Sequence, residues 1–107
     1  MEIKQYQIIL VRSESDSEDA AEKEWQCVVI SPDEMNIYLK TLIIAPLVEN
    51  ATGYPTRPKI KQSNQTKRVV LDQLTAIDKK QAVKILGDLQ GSEIKKIKAV
   101  LKETYID

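Results

Sequence analysis

The C-terminal stripe constrains this chain most. Ile94, Ile97, Leu101 and Tyr105 recur at intervals of three, four and four residues, which gathers them on one face of an α-helix, while Lys95, Lys96, Lys98 and Lys102 fall outside that face. Gly91 and Ser92 mark its start, and Glu93 suits the positive end of the helix dipole. Upstream, the apolar residues come instead in short β-branched runs broken by prolines and polar turns. Strands are predicted over 6–12, 25–31 and 38–45, the last ending at Pro46, while Leu47 and Val48 can continue its apolar line for a residue or two. A polar strand over 56–61 carries Pro58 and is therefore assigned to an edge, and a central strand is predicted over 68–71. Asp33 and Asn36 bracket a turn, 50–55 is a loop with Gly53 as its left-handed position, and 63–67 is a further turn. Residues 74–82 give no clear pattern, although Ile77, Val83, Ile85 and Leu86 suggest a turn and a short strand toward Gly87. Five or six short strands and one terminal helix predict a mainly β fold: a small, strongly curved antiparallel barrel that the helix seals.

With 107 residues the chain has surface enough to bury one modest core, so a single domain over 1–107 is expected. Histidine is absent and Cys27 is the sole cysteine. Within one chain this excludes histidine acid–base chemistry, a Ser-His-Asp relay, a His-ligated metal, a disulfide and a four-cysteine zinc site. No metal or other cofactor is expected, and Cys27, followed by Val28 to Ile30, reads as a buried structural thiol. No apolar run approaches the ~20 residues needed to span a bilayer, and the start lacks a signal-peptide pattern, so a cytoplasmic protein without a membrane partner is expected.

The 16 basic and 16 acidic residues cancel, but not evenly along the chain. Residues 1–36 hold nine acidic and three basic side chains, whereas 37–107 hold seven acidic and 13 basic. An anionic partner would meet the second part. The run over 13–23 is too polar to bury and reads as a connector, or as a lid between strands.

The order Cys27-Val-Val-Ile-Ser-Pro-Asp-Glu-Met-Asn36, Leu42-Ile-Ile-Ala-Pro46, Gly53-Tyr-Pro55, Val69-Val-Leu-Asp-Gln73, Thr75-Ala-Ile-Asp78 and Gly87-Asp-Leu89 before a helix resembles the MazF/PemK (Kid) family of bacterial toxins. The resemblance runs over about residues 4–105. It implies an SH3-like barrel, a homodimer, metal-independent cleavage of single-stranded RNA at short motifs, and neutralisation by a cognate antitoxin. It also implies that two chemical groups are replaced. Trp25 and Gln26 stand where the family has arginine and proline before the second strand, and Val48 stands where it has threonine after the third. Val70 replaces an arginine that some members use, and Asp72 is retained.

RNA cleavage by its own 2′-hydroxyl needs a base, cationic donors on the phosphate oxygens and an acid for the leaving oxygen. Asp72 is the candidate base, and Arg57 and Arg68 are the candidate phosphate grips, since a planar guanidinium can hold two oxygens. Trp25, Tyr54, Lys59, Lys67 and Arg12 are candidate RNA-binding residues. Each has an ordinary counterpart: Asp72 and Gln73 as a turn cap, Arg57, Lys59 and Lys61 as a solvated strand face, Trp25 as a core or dimer-interface aromatic. Two other functions stay open, a non-catalytic module that binds RNA or antitoxin and a gyrase inhibitor resembling CcdB. The ending Thr104-Tyr-Ile-Asp107 lacks the Trp-Gly-Ile of the latter.

Overall fold

A computed structural model describes residues 1–13, 23–49 and 53–106. Its centre is three antiparallel strands, β1 (Gln7–Arg12), β2 (Glu24–Val29) and β3 (Thr41–Val48). Ile8, Ile9, Cys27, Val28, Ile44 and Ala45 are consecutive pairs yet all buried, so this part of the sheet is covered on both faces, and the strands read as continuous apolar runs rather than alternating ones. β4 (Lys59–Gln62), β5 (Gln65–Val69), β6 (Thr75–Asp78) and β7 (Ala82–Asp88) complete a seven-stranded sheet in the order β4-β5-β3-β2-β1-β7, with β6 also on β3. The sheet curls through 218° into a half-barrel.

Two apolar clusters lie on its two faces. Ile9, Val11, Cys27, Val29, Leu42, Ile44 and Ile77 form one, with Trp25 packed against it. Ile8, Val28, Ala45, Leu47, Ile60, Val69 and Leu71 form the other; of the α-helices α1 (Asp33–Tyr38) and α2 (Gly91–Leu101), the second seals this cluster with fully buried Ile97. Burial also pushes the Cys27 thiol up to about 12, as a structural cysteine requires.

β3 explains why Pro46 does not end its strand. The outer edge of β3 pairs with β6 over Thr41 to Ile44 and then with β5 at Leu47 and Val48. The Pro46 carbonyl accepts from Val70 N–H at 2.8 Å on that outer side, so the donor that proline lacks would point into the seam between the two partners and no ladder bond is lost.

Several sequence expectations need correction. Residues predicted as a turn are a short helix, α1 (Asp33–Tyr38), with Asp33 and Glu34 in its first turn. Buried Asn36 ties it down, accepting from Ser31 Oγ at 2.6 Å and donating to the Ser31 carbonyl at 2.9 Å. Tyr38 accordingly ends a helix, and β3 begins three residues later. Gly53 is not left-handed; among the described residues the positive φ values belong to Tyr6, Ser63 and Asn64. Ser63 and Asn64 form a two-residue hairpin turn between paired Gln62 and Gln65, so β5 starts earlier than predicted. Leu71, expected to end a strand, opens a turn of 3-10 helix, Leu71–Gln73. β6 and β7 fill the stretch that gave no pattern, joined by a turn in which Asp78 Oδ1 accepts from Lys80 N–H at 2.9 Å. The connector over 13–23 lies almost wholly outside the described residues. Among the described residues no helix is long and apolar enough to cross a membrane.

Candidate functional site

The segment before β4 is laid alongside the segment after β5. Val69 N–H donates to the Pro58 carbonyl at 3.0 Å and Leu71 N–H to the Thr56 carbonyl at 3.2 Å. This parts two neighbours: Leu71 turns fully inward, and Asp72 turns out beside Thr56 and Arg57. Arg57 grips Asp72 as a fork, Nε to Oδ1 at 3.0 Å and Nη2 to Oδ2 at 3.1 Å, and Thr56 Oγ1 donates to Oδ1 at 3.1 Å. The Arg57 guanidinium also lies 4.7 Å from the ring centroid of Tyr54, a cation–π contact. Arg57 first, and then Thr56, hold the Asp72 carboxyl down at about 2, and the bond to Asp72 in turn raises the pKa of the Arg57 guanidinium.

Arg68 joins the group from β5, its Nη1 donating to the Arg57 carbonyl at 2.9 Å. Gly53 lies close by: a Cβ at that position would sit 3.1 Å from Arg68 Nη2, so the guanidinium would have to give by a few tenths of an ångström. Register extends the group sideways. Arg68 is paired with Val48 on one side and Lys59 on the other, and facing partners in an antiparallel sheet share a face. Cys27 is paired with Pro46, so two residues further along the same strands the register carries half-buried Trp25 toward Val48. Trp25, Val48, Arg68 and Lys59 thus follow one another across four strands on one face.

Asp72, Arg57, Arg68, Tyr54 and Lys59 therefore come together, with Trp25 at the end of their row. Arg12 does not join them. It is paired with Glu24, Nη2 to Oε1 at 2.8 Å, and alternation puts it on the opposite face from Val11 and Trp25. Lys67 also points away, being next to Arg68 in the strand. It is buried, and its Nζ donates to Gln26 Oε1 at 2.9 Å and Gln62 Oε1 at 2.6 Å. Sequence reasoning missed Thr56. Its signal is a hydroxyl beside a candidate arginine, which the assignment of 56–61 to a single strand obscures.

A family profile described as PemK-like, MazF-like toxin of type II toxin-antitoxin system matches residues 4–105. No curated protein matches the chain. Among solved structures, the chain is similar to one from a MazE-MazF crystal structure of Deinococcus radiodurans at 14% identity and a TM-score of 0.82, over 96% of this chain and 95% of that one. It is also similar to one from a mycobacterial endoribonuclease in complex with its cognate antitoxin, at 18% identity and a TM-score of 0.75, over 94% and 92% of the two chains. A third is MazF of Deinococcus radiodurans, 13% identical with a TM-score of 0.77, covering 96% of each chain. At such identities the likeness is one of fold.

Proposed function

Because the chain belongs to the PemK-like, MazF-like toxins of type II toxin-antitoxin systems, we propose that residues 1–107 act as a toxin domain that binds single-stranded RNA and cleaves it slowly. In this reading it is a cytoplasmic homodimer, needs no metal or other cofactor, and is neutralised by a cognate antitoxin. The observation that carries the reading is the arginine pair. Arg57 and Arg68 meet beside Asp72 in line with Trp25 and Val48, the two positions where the family's arginine and threonine are replaced. The cationic group has moved two strands along, from β2 to β5.

In the reaction the 2′-hydroxyl oxygen attacks the adjacent phosphorus, a base takes its proton, and the bond to O5′ breaks. A 2′,3′-cyclic phosphate remains on one fragment, and O5′ takes a proton from water to leave a 5′-hydroxyl on the other. Arg57 and Arg68 hold the non-bridging oxygens as charge develops on them. Asp72 has two roles in succession. It first orients Arg57, and while gripped at both oxygens with its carboxyl held at about 2 it is a poor base. A phosphate competes for the same fork, and only as Arg57 turns to it does Asp72 become basic enough to accept the proton. Tyr54, half exposed and backed by Arg57, and Trp25 offer aromatic surfaces to flanking bases.

Incubation of purified protein with a long single-stranded RNA in the presence of a chelator, followed by end mapping, tests this. Slow cuts bearing 5′-hydroxyl ends are expected, and Asp72→Asn should abolish them while RNA binding survives. Vigorous cutting that Asp72→Asn, Arg57→Ala and Arg68→Ala all leave untouched would place the chemistry elsewhere. Light scattering at micromolar concentration should report about twice the 12.2 kDa chain mass. The closed Arg57–Asp72 pair also favours a second reading, a binding module without cleavage, for which salt-dependent RNA affinity with no cuts would be the outcome.

A further inference from the structure

We infer that the exposed face of β4, with the start of α2, is a cationic track that holds single-stranded RNA outside the scissile step. This rests on the RNA-binding reading above and extends it to a second surface. Lys59 and Lys61 are both exposed on β4, on the face that Arg68 shares by its pairing with Lys59. Across a groove of about 320 Å³ stand Ser92 and Lys96 of α2. Among the described residues the one acidic side chain lining that groove is Glu93, and both its oxygens accept from backbone donors. Oε1 accepts from Gln90 N–H at 3.0 Å and Oε2 from Lys61 N–H at 2.9 Å. Among the described residues Lys59, Lys61 and Lys96 form no ion pair.

Lys59 and Lys61 thus continue the line that begins at Arg57 and Arg68, and Lys96 faces them across the groove, which gives three ammonium groups to one carboxylate. Lys59 and Lys61 are about 7 Å apart along the strand, twice the rise per residue, a spacing comparable to that of successive phosphates in an extended single strand. Continuity with the arginine pair favours RNA over an acidic peptide, because a strand whose scissile phosphate sits at Arg57 and Arg68 carries one negative charge per further nucleotide along this direction. The track contributes affinity without base specificity, through counterion release.

The test compares the intact chain with a Lys59→Gln, Lys61→Gln, Lys96→Gln variant, with Arg57→Gln as reference. The probes are labelled, uncleavable 2′-O-methyl RNAs of about four and about 16 nucleotides, titrated by fluorescence anisotropy over a range of salt. For the long probe, loss of three phosphate contacts should reduce the slope of log affinity against log salt by about 2, at ~0.7 per contact. The short probe should bind both proteins alike. An unchanged long-probe slope, with binding that Arg57→Gln still weakens, overturns the track and leaves the arginine site standing. Equal loss for both probes assigns the lysines to the scissile step and overturns the track as well. So does a triple variant that keeps RNA affinity but no longer binds a glutamate-rich peptide. An intact chain that binds neither probe overturns the RNA-binding reading itself.

Discussion

Leu71 and Asp72 are adjacent in the chain and belong to two differently built regions. Leu71 is fully buried among Ile8, Val28, Ile60, Val69 and Ile97, where stability comes from apolar area removed from water and from close packing. Asp72 is held by three hydrogen bonds from Arg57 and Thr56 in a partly solvated corner, where a net contribution to stability is small but direction is strictly defined. One turn of 3-10 helix couples the two. A rigid core sets the backbone at Leu71, and that backbone presents Asp72 to Arg57.

The sharpest way to break this contrast is to loosen the core under the turn. Ile97→Ala should cost about 2–4 kcal/mol, read as a lowered urea midpoint with an unchanged slope. A change under ~0.5 kcal/mol would mean that α2 does not seal the second cluster. A smaller effect is expected at the tie between the regions. The Tyr105 hydroxyl donates to the Leu71 carbonyl at 2.6 Å from the wide terminal turn that follows α2. Tyr105→Phe should cost roughly 0.5–1.5 kcal/mol and increase amide exchange at Gln73. The smallest effect belongs to the corner itself. Asp72 has a folded pKa of about 2 against an ordinary 3.8, so the unfolded chain takes up this proton first. Its stabilisation is therefore fully present above about 3.8 and is lost as pH falls through about 2. Asp72→Asn should flatten that acid limb alone, and the Asp72 carboxyl carbon should titrate near 2 by NMR. Titration near the ordinary value would mean that the fork with Arg57 is open in solution.

The core was the more legible of the two regions, for physical reasons. Ile94, Ile97 and Leu101 announce a helix because the period of a buried stripe survives in any sequence. The β-branched runs around Ile9 and Val28 announce strands for the same kind of reason. What failed were features set by partners distant in the chain. Pro46 read as a terminator because its seam between β6 and β5 exists only in the folded sheet. α1 spans too few residues to show a period, and β7 pairs with β1 through register shifts at Ile8/Ile9 and Leu10/Val11 that spoil alternation. The corner shows the same division. Arg57, Arg68 and Asp72 each stand out as types, but their meeting depends on Thr56 being laid against Leu71. Lys67 reads as a surface cation, and only the fold reveals Gln26 and Gln62 around its ammonium.

The bond from Lys61 N–H to Glu93 has a consequence for how molecules of this protein stay apart. β4 ends the sheet order, and a terminal strand offers its outer backbone groups to any extended chain that drifts alongside. Here one outward amide is already occupied by a helix carboxylate, and lysines flank it on the exposed face. A second copy adding its own β4 would have to displace Glu93 and bring Lys59 and Lys61 against their like. The carboxylate that starts the helix also blocks the edge of the sheet, so the border open to a polyanion is closed to strand-by-strand aggregation.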